Sequence, residues 1–263
     1  MTARLPVFRR TTALSFVLLL SALVGACSKE PPLPPPGAMD ADKFLFQRGN
    51  ESLSEKKWIA AREYFRRLVD TYPRSEFRTQ AKLGIGDAYI GEGRLDSYIL
   101  AANEFREFLQ FFPVDPRADY AQYKLCVSLS RQVLSPQRDQ SATREALVEL
   151  ERFRRIFPNS KYMPDVEALH RETRDRLSDS EFLVGQFHYR VRLYAGAIAR
   201  LTDLLKEDPG YTRKDQVYHV LAETYYKVTL LDQALPFYEK LLAEYPASKH
   251  ALNAKKRLAE IKR

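Results

Sequence analysis

Cysteine is nearly absent: Cys27 and Cys126 are the only two in 263 residues. They could form at most one disulfide, and without a C-x-x-C pair they make neither a zinc ribbon nor a thioredoxin-like motif. Histidine is scarce as well. His170, His188, His219 and His250 stand at no metal-ligand spacing and read as surface or partly buried residues on separate helices. No G-x-S-x-G occurs, and no glycine-rich phosphate loop. The stretch GIGDAY at 84–89 lacks both a third glycine and a preceding strand. Its glycines suit close helix packing, while Gly91 and Gly93 suit the turn that follows. These absences leave no expected catalytic residues, metal ligands or cofactor. Cys126, in YKLCVSLS, falls at an apolar helical position and reads as core.

Long apolar runs are missing too. The uncharged segment from Ala13 to Val24 is short for a membrane helix. With Arg4, Arg9 and Arg10 before it and Gly25, Ala26 and Cys27 after it, residues 1–26 read as a secretory leader. The leader holds three arginines and no acid, so the net charge of +8 becomes +5 for residues 27–263. A charge of that size makes no case for nucleic acid, and basic residues such as Arg152, Arg154 and Arg155 are spread around the repeats among acidic ones. The sequence LVGAC resembles a bacterial lipobox, with Val24 where leucine is commonest, and predicts lipidation of Cys27. Lipid on its sulfur would keep Cys27 from pairing with Cys126. Ser28 in place of aspartate points to the outer membrane. The tract PPLPPP at 31–36 cannot be helical. Residues 27–39 are therefore expected to be an anchor and extended spacer of about 20–30 Å.

From Asp40 onward a helical pattern repeats. Pro73, Pro113, Pro158, Pro209 and Pro246 each follow an apolar-periodic stretch. Twelve residues before each lies Ala61, Ala101, Ala146, Ala197 or Ala234. Eight before are Phe65, Phe105, Leu150, Leu201 and Tyr238; five before are Leu68, Phe108, Phe153, Leu204 and Leu241. The residue before proline is aromatic in every repeat but the fourth, which has Asp208. A small residue lets antiparallel helices approach, apolar residues three or four apart line one face, and proline stops the helix. This register predicts an all-α solenoid of about five tetratricopeptide-like helix-turn-helix repeats. Proline spacings of 40, 45, 51 and 37 exceed the usual repeat of about 34. The helices are therefore expected to be longer than average, and two repeats carry insertions: LSPQRDQSAT around Pro136, and a first helix of repeat four lengthened over roughly 164–190. Residues after Pro246 read as an amphipathic capping helix.

First helices of such repeats line a concave face. The groove candidates are Phe46, Asn50, Asp87, Tyr89, Tyr120 and Tyr123, which either receive an extended peptide or pack between helices. Residues 40–158, holding repeats one to three, are assigned to this groove. Residues 159–263, holding repeats four and five and the cap, are assigned to partner docking.

Lipobox, spacer and long repeats together resemble the BamD (ComL) lipoproteins of the outer-membrane β-barrel assembly machine. Four stretches carry the resemblance: YPRSEFRTQAKLGIGDAY, FPVDPRADYAQYKL, RDQSATREAL and FHYRVRLYAGAIARL. Asp115 stands where a histidine is common in that family, and HYRVRLYAG lacks the usual Arg-Gly turn. The resemblance implies a non-enzymatic, lipid-anchored scaffold on the periplasmic face of the outer membrane. Its implied partners are nascent outer-membrane proteins, other Bam lipoproteins, and a BamA-like barrel protein reached through its POTRA domain. Arg200 matches the position of an interface arginine. A pilotin-like role in secretin or pilus assembly is the alternative; the repeat-three insertion favours the first reading.

Overall fold

A computed structural model describes residues 40–262. The leader, Cys27 and the proline tract lie outside the described residues. Within those residues the chain forms helices only: α1 Ala41–Ser54, α2 Trp58–Thr71, α3 Arg78–Glu92, α4 Leu95–Phe111, α5 Ala118–Ser130, α6 Ser141–Ile156, α7 Met163–Arg190, α8 Tyr194–Glu207, α9 Lys214–Lys227, α10 Leu231–Glu244 and α11 Ala251–Ile261. Helices α3 to α10 form four antiparallel pairs, α1 meets α2 where Gly49 and Phe46 face Phe65, and α11 packs on α10 as the cap. First helices also touch in series, α3 on α5, α5 on α7 and α7 on α9. They form one layer and the second helices lie outside it. The expected all-α repeat solenoid is the observed fold.

The proline register sets the boundaries. Every second helix ends two residues before its proline, at Thr71, Phe111, Ile156, Glu207 and Glu244. The pre-proline residue leaves the helical region, as proline sterics demand, with ψ between 52° and 75°. Its amide still donates to the carbonyl four residues back, as Tyr72 does to Leu68. Two residues past the proline stands a polar turn residue in four repeats. Ser75, Asp115, Ser160 and Ser248 each accept the amide hydrogen of the residue two further on and so shape the turn into the next helix.

All fifteen register residues are buried, with exposures of 4% or less. The helices approach closely because glycines face the large side chains. A Cβ on Gly49 would lie 2.4 Å from the Phe65 ring, and one on Gly84 2.5 Å from its other edge. Gly86 fits Phe105 in the same way. Gly91 belongs to α3 and makes room for the Trp58 ring; only Gly93, at φ +69°, makes the expected turn. Both insertions are in place: 131–140 links α5 to α6, and α7 runs for 28 residues. His170 and His188 share α7 instead of occupying separate helices. His219 and His250 stack with ring centroids 4.0 Å apart, between α9 and the start of α11. Cys126 is fully buried, and burial pushes its thiol up to about 12.

Repeat four departs from the scheme. Asp208 replaces the aromatic residue and Tyr211 occupies the place of the polar turn residue. The long α7 supplies what the turn lacks. Arg171 donates to both Asp208 oxygens, at 2.9 and 2.5 Å, and Ser178 donates at 2.6 Å. Thr212 donates through its hydroxyl to Asp175 at 2.8 Å. Tyr211 donates to Asp179 at 2.6 Å, and Arg213 pairs with the same carboxylate.

The cap is fastened by a buried charge. Glu223 on α9 accepts from the Tyr238 hydroxyl at 2.6 Å and from Arg257 Nε at 3.1 Å. The Arg257 guanidinium also lies 4.3 Å over the Tyr226 ring.

Candidate functional site

Three of the six groove candidates come together on neighbouring first helices. Tyr120 of α5 donates to both carboxylate oxygens of Asp87 on α3, at 2.8 and 2.7 Å. Lys124, one turn along α5, has its amine 3.3 Å from the same carboxylate. Burial raises the Asp87 carboxyl above its usual value, opposed by Lys124 and Tyr120. Tyr123 stacks face to face on Tyr162, with centroids 4.7 Å apart and planes 5° off parallel. Tyr162 also meets Tyr120 at 5.7 Å, and Lys161 lies 5.0 Å over its ring. The result is a half-buried patch of three tyrosines, two lysines and one carboxylate. Such a patch offers flat stacking area and both signs of hydrogen-bonding group.

The other three sit elsewhere. Phe46 of α1 stacks on Phe77 at 4.9 Å, and Asn50 donates to the Phe46 carbonyl at 3.0 Å. Asn50 is exposed and Phe46 half-buried. Tyr89 is buried against α2: the Arg62 guanidinium lies 4.3 Å over its ring and Arg66 donates to its hydroxyl at 2.5 Å. Its ring joins repeat one to repeat two.

Arg200 projects from α8 with half its side chain exposed. Its nearest acid is Glu181 of α7 at 3.8 Å, and Arg144 of α6 is 3.7 Å from the same carboxylate. Two arginines thus share one acid across three helices. Exposed pairs of this length contribute about 0–1 kcal/mol, so the fold does not depend on holding Arg200 there. Neither Glu181 nor Arg144 was recognisable beforehand, since they stand 19 and 56 residues before Arg200 along the chain. A wide groove of about 960 Å³ lies nearby along α6 and α7, walled by Val148, Arg152, Arg155, Arg171 and Glu207. Its open, mixed-charge walls differ from the enclosed, mainly apolar pockets that small ligands use.

Among the described residues no helix is long and apolar enough to cross a membrane. No group of three or more His, Cys, Asp or Glu side chains there could hold a metal ion.

Residues 38–237 match the family YfiO, described as outer membrane lipoprotein. The outer membrane protein assembly factor BamD of Caulobacter vibrioides is 26% identical over 193 residues, 73% of this chain and 62% of that protein. The chain therefore spans less than two thirds of that relative's length. The protein of the same description from Rickettsia prowazekii is 24% identical over 239 residues, 91% of this chain and 93% of its own. A solved thermophilic TPR protein from Thermus thermophilus is 20% identical and covers 84% of this chain and 98% of its own, at a TM-score of 0.35. That superposition is too loose to carry an argument.

Proposed function

The chain belongs to the YfiO family of outer membrane lipoproteins, and from that membership we propose that it is a non-enzymatic scaffold for assembling β-barrel proteins in the outer membrane. The observation that carries this reading is the family match across the repeats, joined by relatives named for outer membrane protein assembly. That shared name favours barrel assembly over a pilotin-like role.

Each part then has a task. Lipid on Cys27 holds the chain at the periplasmic face. Repeats one to three, over residues 40–158, receive unfolded barrel segments. The Asp87, Tyr120 and Tyr123 cluster suits an extended chain, with ring faces for apolar side chains and polar groups for free backbone amides and carbonyls. Phe46 and Asn50 extend that surface toward repeat one. Tyr89 positions the groove by tying α3 to α2 and does not line it. Residues 159–263 dock on the POTRA domain of a BamA-like barrel protein, and on other Bam lipoproteins.

Arg200 is the docking residue that stands out in this scheme. A carboxylate on the partner would replace the loose contact with Glu181 by a close bidentate pair. Affinity purification of the full chain should recover a BamA-like barrel protein. Arg200→Glu should reduce that recovery at least about tenfold, the scale of a lost charged interface pair, with thermal stability unchanged. Recovery of unrelated partners alone would contradict the proposal.

A further inference from the structure

We infer that the outer face of α11 is a second membrane contact, a surface for anionic lipid headgroups. The charge distribution is the first ground. Residues 27–248 are neutral overall, and the whole +5 of residues 27–263 falls within 249–263, where six basic residues face one acid, Glu260. A cap that served only to keep the last repeat soluble would need polar residues, of either sign.

Pairing sorts these charges into two groups. Arg257 turns inward to Glu223 and Glu260, and Lys262 pairs with Glu239 at 3.1 Å. Among the described residues Lys249, Lys255 and Lys256 form no ion pair, and all three are exposed. The one acid of the segment, Glu260, is already engaged by Arg257 and by the Tyr226 hydroxyl.

The shape of the face is the second ground. Leu252, Lys255, Lys256 and Ala259 are all exposed and fall at i, i+3, i+4 and i+7, one stripe of the helix. Leu252 stands 81% exposed at its head. Lysines beside a bare leucine, with no free carboxylate between them, are the make-up of a helix that lies in a membrane interface. The apolar side chain enters the acyl boundary while the lysine stems keep their amines among the phosphates. An acidic protein would meet the same charges, but Leu252 and the family's outer-membrane setting favour lipid.

The test uses residues 27–263 carrying Cys27→Ser, so that no acyl chain contributes. Vesicles of phosphatidylglycerol with phosphatidylethanolamine should bind this chain, and phosphatidylcholine vesicles should not. Binding should weaken between about 50 and 300 mM salt. Each lysine near an anionic surface changes partitioning about fivefold, so Lys255→Glu with Lys256→Glu should lower it by more than about twenty-five-fold. Leu252→Asp should lower it as well. These exposed positions leave the circular dichroism and melting of the chain unchanged, so loss of fold is not confused with loss of contact. Equal binding to both kinds of vesicle, or undiminished binding by the double lysine variant, would overturn the inference. So would absence of vesicle binding with lysine-dependent capture of an acidic partner protein. Neither result bears on recovery of a barrel partner through Arg200.

Discussion

Replacing Asp208 by alanine is expected to destabilise the chain by about 3 kcal/mol, the low end of the cost of removing one partner from a buried ion pair, because Arg171 is one third exposed and keeps Asp175. Asp208 is 4% exposed and accepts three hydrogen bonds, two from Arg171 and one from Ser178. Burial alone would raise its pKa, but Arg171, Ser178 and Arg174 outweigh it and hold the carboxyl below the usual carboxylate range. Its contribution is therefore present above the pKa of an unfolded aspartate and is lost as pH falls through the lower, folded value. Alanine would leave the Ser178 hydroxyl without its acceptor and reduce the Arg171 guanidinium to its pairing with Asp175 at 2.8 Å. It would also loosen the 208–213 turn, leaving it to the contacts of Tyr211, Thr212 and Arg213 with Asp179 and Asp175. Denaturant unfolding near pH 7 checks this. Asp203, 61% exposed and 3.7 Å from Lys206, is the control, since its loss should change stability by no more than about 0.5 kcal/mol. Equal effects at the two positions would mean that α7 does not hold the turn.

Phe65→Ala is expected to cost about 3–5 kcal/mol as well, the range for an emptied aromatic core site. The ring is fully buried and fills the space between two glycines on different helices. Deleting it opens a cavity that Gly49 and Gly84 cannot fill, because neither has a side chain to move. The converse change overfills the same place. Gly84→Ala sets a methyl 2.5 Å from the ring and should cost about 1–3 kcal/mol. Combined with Phe65→Leu, that alanine should cost less than the two changes summed, since the smaller side chain leaves room for it. In a repeat array stability is carried by nearest neighbours, so the damage should be confined to α1 to α4. Hydrogen exchange of the Phe65→Ala chain should show early opening there, with α9 to α11 still protected.

These two sites also show what could be read from the sequence. Phe65 was recognisable because its position recurs eight residues before every proline, and five copies of one register fix which face of each second helix is core. First helices were harder. α3 is enclosed by α2, α4 and α5, so Leu83, Ile85, Ala88 and Tyr89 are buried on more than one side. Periodicity then cannot say which side is free. For that reason Tyr89 read as a groove residue, although its ring faces Arg62. Cys126 and the two insertions needed only local pattern and proline spacing, and they came out as expected. The polar turn residue at Ser75, Asp115, Ser160 and Ser248 stands in the sequence at a constant offset from proline, a signal the register of apolar residues does not include. Its absence at Tyr211, together with Asp208, was the one visible sign that the lengthened α7 does structural work in repeat four. Contacts such as Tyr120 with Asp87, 33 residues apart, depend on how successive repeats stack, which no local pattern encodes. The stacking of His219 on His250 arises in the same way.

Depleting this chain in its own cell is the decisive test of a role in barrel assembly. Folded barrel proteins in the outer membrane should then fall while other envelope proteins hold their level, and wild-type chain supplied in trans should restore them. Undiminished barrels after depletion, with loss of a secretin or of pili instead, would contradict the account.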